Sequence, residues 1–129
     1  SNKLTDINIR RIRYIRENGG NRNNLPDDLI LDCHKKNKGH GDVYGILDIS
    51  KPSVTITGGC MTFSKGRFGH PTQDRALSAR EAAMLQSFDD DYVFLGSRGE
   101  LAKQIGNAVP VKLAEASGKY FQLILKEVM

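Results

Sequence analysis

Three stretches of this 129-residue chain have residue types and spacings that could do chemistry. The first is basic. Arg10, Arg13 and Arg16 recur at every third residue, beside Ile9, Ile12 and Ile15 at the same interval. On a helix this gives a basic stripe next to an apolar one. A planar guanidinium fork binds phosphate oxygens in pairs, so the basic stripe suits a polyanion. It suits a solvated surface equally well. The second stretch runs from Gly58 to Gly69 and holds four glycines among Cys60, Lys65, Arg67 and Phe68. Glycines let a backbone approach another molecule closely, and a loop on a rigid support is a common recognition surface. An ordinary hairpin end reads the same way. The third stretch is the most distinctive. It runs R-F-G-H-P-T-Q-D-R-A-L-S-A-R-E-A-A-M-L-Q-S-F from Arg67 and reaches Q-I-G-N-A-V-P at Gln104.

Other reactive residues carry less. Cys33 and Cys60 match no paired metal-ligand spacing and read as reduced thiols. His34 and His40 flank a lysine run without a second ligand pattern, so no metal site is expected.

Elements must position these residues. Thr5 or Asp6 can cap a helix to about Arg16, which Gly19-Gly20 stops. Pro26 and Asp27-Asp28 are expected to open a short helix through Cys33. Asp42–Leu47 and Ser53–Thr57 read as strands, the second rich in β-branched residues. Ser78 and Glu81 have the spacing of a capping box, and the alanine-rich helix behind them should be mostly buried. Arg80 on that helix must then either brace neighbouring loops or emerge at a surface. Arg98 to Ile105 can be helical. In the last helix Leu113, Phe121, Ile124, Leu125 and Val128 form an apolar stripe that is long for so small a chain, and Gly118 within it hints at a close contact.

The apolar share of 39% allows a modest core. Residues 1–40 hold nine Lys/Arg against five Asp/Glu, whereas residues 41–129 hold ten of each, so the net charge of +4 sits in the first forty residues. Such asymmetry points to an anionic partner or to a solvated surface. No apolar run is long enough to span a bilayer, and no signal-peptide pattern opens the chain.

The block from Arg67 to Pro110 resembles the C-terminal part of DNA cytosine-5 methyltransferases. The family's ninth motif has the form H-P-x-x-x-R-x-L-T-x-R-E-x-A-R-L-Q-x-F-P-D. Here it reads His70-Pro71, Arg75, Leu77-Ser78, Arg80-Glu81, Ala83, Leu85-Gln86 and Phe88, with Asp90 after it. The tenth motif, I-G-N-A-V-P, is intact from Ile105 to Pro110. Val54–Thr57 and the glycines after it resemble the end of the family's target recognition region, and the N-terminal third resembles its start. Ser78 replaces the usual threonine, Met84 a common arginine and Asp89 a common proline. Three further features of the family are absent from the sequence: the P-C-Q cysteine that attacks the base, the E-N-V glutamate and the glycine-rich loop of a nucleotide-binding sheet. Cys33 lies in L-D-C-H and Cys60 in G-G-C-M, so neither is assigned as nucleophile.

The resemblance implies an α+β fold. Residues 1–69 would be a small target recognition region of short strands and glycine-rich loops. Residues 70–129 would carry the two motifs and helices that pack on a missing α/β catalytic domain. It implies double-stranded DNA as partner, with Arg10, Arg13, Arg16, Thr57, Gly58, Gly59, Lys65 and Arg67 at the DNA. Arg75, Arg80 and Glu81 would act as a structural brace. Asn107 and Ala108 would line the pocket of S-adenosylmethionine. Neither a membrane nor a metal is expected, and the setting would be the bacterial cytoplasm, in restriction-modification. The chain would be a fragment of an enzyme, inactive alone, or the small subunit of a split methyltransferase. A stand-alone DNA-binding module uses the same basic helix and loop but gives no reason for Ile105–Pro110. A regulatory protein docking through its last helix gives no reason for His70–Phe88.

Overall fold

A computed structural model describes residues 4–36 and 39–129. Among these residues five α-helices follow in order: α1 Asp6–Glu17, α2 Asp32–Lys36, α3 Ala79–Leu85, α4 Arg98–Asn107 and α5 Val111–Val128. Single 3₁₀ turns lie at Arg22–Asn24 and Phe63–Lys65.

Helix α1 buries Ile12 and Ile15 completely. Burying each side chain contributes about 1.5–3 kcal/mol, which fixes the helix on its apolar stripe. It ends as the glycines dictate. Gly19 and Gly20 take φ of 94° and 72°, and the Gly20 N–H reaches back to the Ile15 carbonyl at 2.8 Å. That bond closes a left-handed helix terminus. The next helix starts later than expected. Pro26 to Leu29 forms a turn, closed by the Leu29 N–H on the Pro26 carbonyl at 2.9 Å, and α2 begins only at Asp32.

Among the described residues no strand ladder forms. Ile46 bridges Gly69 in parallel, and Gly69 bridges Ala76 antiparallel. Gly69 has room for no side chain, because a Cβ there would meet Phe63, the Gly45 carbonyl and Ile46. Residues 53–57 form no ladder, yet they alternate: Ile56 is buried, while Thr55 and Thr57 are exposed.

Two cores result. One joins Ile12, Ile15, Leu25, Leu29, Ile46 and Phe63. The other joins Ile56, Cys60, Met61 and Phe68 with Leu77, Ala82, Ala83, Ala102 and Ile105. The second core therefore takes residues from both sides of the expected division at residue 69. Helix α5 belongs to neither, and every residue from Val111 to Met129 is exposed. No helix among the described residues is long and apolar enough to cross a membrane.

Candidate functional site

The loop from His70 to Arg75 is held from two sides. From the N-terminal core, Arg13 Nε donates to Asp74 at 2.6 Å and Arg16 Nη1 at 2.9 Å. These bonds hold the Asp74 carboxyl below its ordinary range, Arg13 contributing most. From α3, Glu81 receives both arms of Arg75, at 2.6 and 2.7 Å. Such a forked pair is stronger and more directional than a single contact. It pulls the Glu81 pKa from 4.5 to about 2, with the Ser78 N–H helping. Glu81 also completes the capping box of α3 with Ser78. His70 accepts the Thr72 and Gln73 N–H groups on Nδ1, at 3.1 and 3.0 Å. Burial and then Arg75 lower its pKa; with Nδ1 accepting two N–H groups, the ring N–H belongs on Nε2, which faces Glu81 at 3.4 Å.

Arg80 stands apart from this arrangement. It is exposed and donates to the Tyr92 carbonyl at 3.3 Å. Helix α3 buries Ala82 and Ala83 instead, leaving Met84 and Leu85 substantially exposed. The helix ends before Phe88, because Ser87 turns to φ 56°.

Behind α3, Gln86 does what the sequence reading missed. Its buried carboxamide donates to the Ile105 and Ala108 carbonyls, both at 2.9 Å. Its own backbone carbonyl accepts the Val111 N–H at 3.2 Å, and the Ser87 hydroxyl accepts the Lys112 N–H at 3.0 Å. Residues 86–87 thus fix the stretch Ile105–Pro110 and satisfy the first N–H groups of α5. Helix α4 has its own capping box, Ser97 with Glu100. The S-x-x-E spacing that revealed Ser78 would have found it. Asn107 ends α4 with an exposed side chain, next to the half-buried Ala108.

Gly106 connects this stretch to the glycine turn. A Cβ on Gly106 would collide with the backbone of Thr57 and Gly58. That turn is closed by the Cys60 N–H on the Thr57 carbonyl at 2.9 Å. Thr57 and Gly58 are exposed, and Lys65 lies beside Gly59. Cys60 faces the core, and burial pushes its thiol pKa up, away from the thiolate a nucleophile needs. Among the described residues no cluster of three metal-ligating side chains occurs.

The structure therefore divides the expected DNA residues. Thr57, Gly58, Gly59 and Lys65 gather at one turn. Arg10, Arg13 and Arg16 are paired with Asp28 and Asp74. Arg67 spans Asp42 at 3.4 Å and the Gly20 carbonyl at 3.4 Å, joining the first core to the loop.

With this geometry in hand, the family is clear. The profile of the C-5 cytosine-specific DNA methylases matches residues 3–122, and the chain belongs to that family. It is 44% identical to type II methylase M.HgiDII of Herpetosiphon aurantiacus, across 98% of this chain and 37% of the relative. It is 43% identical to type II methyltransferase M1.HphI of Haemophilus parahaemolyticus, across 78% of this chain and 24% of the relative. DNA (cytosine-5)-methyltransferase 3 of Arabidopsis thaliana is 32% identical across 91% of this chain and 10% of its own length. The chain thus spans 37% or less of each of these relatives.

Proposed function

We propose that this chain is the DNA-reading and cofactor-closing portion of a larger enzyme that transfers a methyl group from S-adenosylmethionine to C5 of cytosine in double-stranded DNA. The observation that carries the reading is α5. Its stripe of Leu113, Phe121, Ile124, Leu125 and Val128 is exposed throughout, although burying so much apolar surface is strongly favourable. Among the described residues, a Cβ on Gly118 of that helix would meet nothing within 4 Å. A catalytic portion docked on α5 accounts for both features. The same portion would supply the P-C-Q cysteine and the E-N-V glutamate.

The residues present fit a cofactor wall. The Asn107 side chain is exposed and carries no hydrogen bond among the described residues, so its carboxamide can donate to and accept from a polar ligand. Asn107 and Ala108 would hold S-adenosylmethionine, which supplies the methyl group when bound. Gln86 keeps them in place through the carbonyls on either side. The exposed turn Thr57–Gly59 and Lys65 would meet the DNA, and Arg75 with Glu81 would keep the loop from His70 in register with α3. The α+β architecture, the division near residue 69 and the bacterial cytoplasmic setting belong to this same reading.

The experiment is reconstitution. Mixed with the separately produced catalytic portion of the enzyme, this chain should restore methyl incorporation into DNA, and alone it should give none. Phe121→Asp together with Leu125→Asp should abolish the restoration. Methyl transfer by the chain alone would overturn the missing-nucleophile argument.

A further inference from the structure

We propose that Lys103 and Lys65 form a two-sided clamp for a phosphodiester on the Thr57–Gly59 turn, with the DNA backbone as occupant. This deepens the DNA-facing reading above and rests on it. Lys103 belongs to α4, the helix that the tenth motif assigns to the cofactor side, and no motif singles it out.

Three observations converge on the clamp. The bare faces of the two glycines are covered by lysine stems. A Cβ on Gly58 would stand 3.8 Å from Lys103 Cα and 3.9 Å from its Cγ. A Cβ on Gly59 would stand 2.8 Å from Lys65 Cβ and 3.0 Å from its Cδ, closer than side chains tolerate. The stems thus pack on the turn's backbone, and a lysine whose stem is covered in this way keeps its charged end in water. Second, both lysines are exposed, and among the described residues neither ammonium has a carboxylate or hydrogen-bond partner. Arg10, Arg13, Arg16 and Arg67 each hold a carboxylate. Arg98 adds a third positive charge nearby, donating to the Met61 carbonyl at 2.7 Å. Third, the helix backbone that carries Lys103 packs against this turn, because a Cβ on Gly106 later on the same helix would meet the backbone of Thr57 and Gly58. A turn flanked by free cations suits an anion that presents oxygens along a strand. Lysine serves such an anion as a point charge, with no need for planar pairing.

The test measures affinity of this chain for a labelled DNA duplex across a series of salt concentrations. Each phosphate contact contributes about 0.9 to the slope of log affinity against log salt. Lys103→Gln and Lys65→Gln should each weaken binding and lower that slope by about 1. Lys103→Arg should restore it. Lys51→Gln, which removes a lysine paired with Asp48, should leave it unchanged. Thermal melting should match for all four variants, since every substituted side chain is exposed. An unchanged slope in Lys103→Gln overturns the clamp while the DNA-facing reading stands. No salt-dependent binding by the unsubstituted chain overturns that reading itself, and the clamp with it.

Discussion

Helices α1 and α5 carry the same kind of apolar stripe and meet opposite fates. In α1, Ile12 and Ile15 are 0% exposed. In α5, Phe121 is 63% and Leu125 58% exposed. The stripe of α1 is covered by Leu25, Leu29, Ile46 and Phe63. Among the described residues, the hydrogen bonds that tie helix α5 to the rest of the chain lie at its first turn, on Gln86 and Ser87. The difference teaches that amphipathicity fixes which face wants cover but not where the cover comes from. Where it comes from the same chain, the helix is part of a core. Where it does not, the helix reads as one half of an interface.

The sharpest way to break this comparison is to truncate both stripes. Ile12→Ala should cost roughly 2–5 kcal/mol, as for other fully buried aliphatic side chains. Phe121→Ala and Leu125→Ala should change the stability of this chain by less than about 0.5 kcal/mol, as exposed substitutions do. Chemical denaturation of the three variants measures this. Equal losses at Ile12 and Phe121 would mean that α5 packs within the chain in solution.

Next in size is the tether. Gln86→Ala leaves the Ala108 carbonyl without its side-chain donor, while the Ile105 carbonyl keeps the Ala108 N–H at 3.3 Å, so the cost should be about 1–3 kcal/mol. Hydrogen exchange should then speed up at Val111 and Lys112, while amides of α1 stay protected. Unchanged protection at both would show that α5 is anchored by something other than Gln86.

The same contrast explains what was legible in the sequence. Several features that close within five residues were legible: the Ser78–Glu81 box, the glycine stop after α1 and the alternation of Ile56 with Thr55 and Thr57; the Ser97–Glu100 box has the same spacing. The links that hold the site together were not legible. Arg13 reaches Asp74 across 61 positions, and Gln86 reaches Ile105 across 19. Neither spacing has a periodicity to betray it. So the arginines of α1, which suit a polyanion or a solvated surface equally well, gave no sign in the sequence of their pairing with Asp28 and Asp74. Gln86 likewise entered only as one letter of the ninth-type motif, with no partner implied. The start of α2 was misplaced because Pro26 suits a turn as well as a helix.

A smaller effect separates the two sides of the His70–Arg75 loop. The Glu81 pKa is about 2 against an ordinary 4.5, so folding favours its charged form. That contribution is present above pH 4.5 and is lost as pH falls toward 2. The pair is partly solvated, so its size is about 1 kcal/mol or less. Arg75→Gln should therefore flatten the stability profile between pH 4.5 and 2, read from urea midpoints. A profile as steep as before would place the acid sensitivity elsewhere, with Asp74 the next carboxylate to examine.

The smallest expected effect is at Ser87, where two terms oppose each other. Its φ of 56° suits glycine, and a non-glycine residue there costs about 1 kcal/mol or more. Its hydroxyl, however, accepts the Lys112 N–H at 3.0 Å, a bond of about 1 kcal/mol net that helps start α5. Ser87→Gly relieves the first and loses the second, so stability should stay within about 0.5 kcal/mol of the original. Ser87→Ala keeps the strained backbone and loses the bond, so it should cost about 1 kcal/mol. The two variants share the lost hydroxyl and differ in the backbone. If both destabilise equally, the left-handed turn is not under strain, and the hydroxyl alone explains why serine stands there.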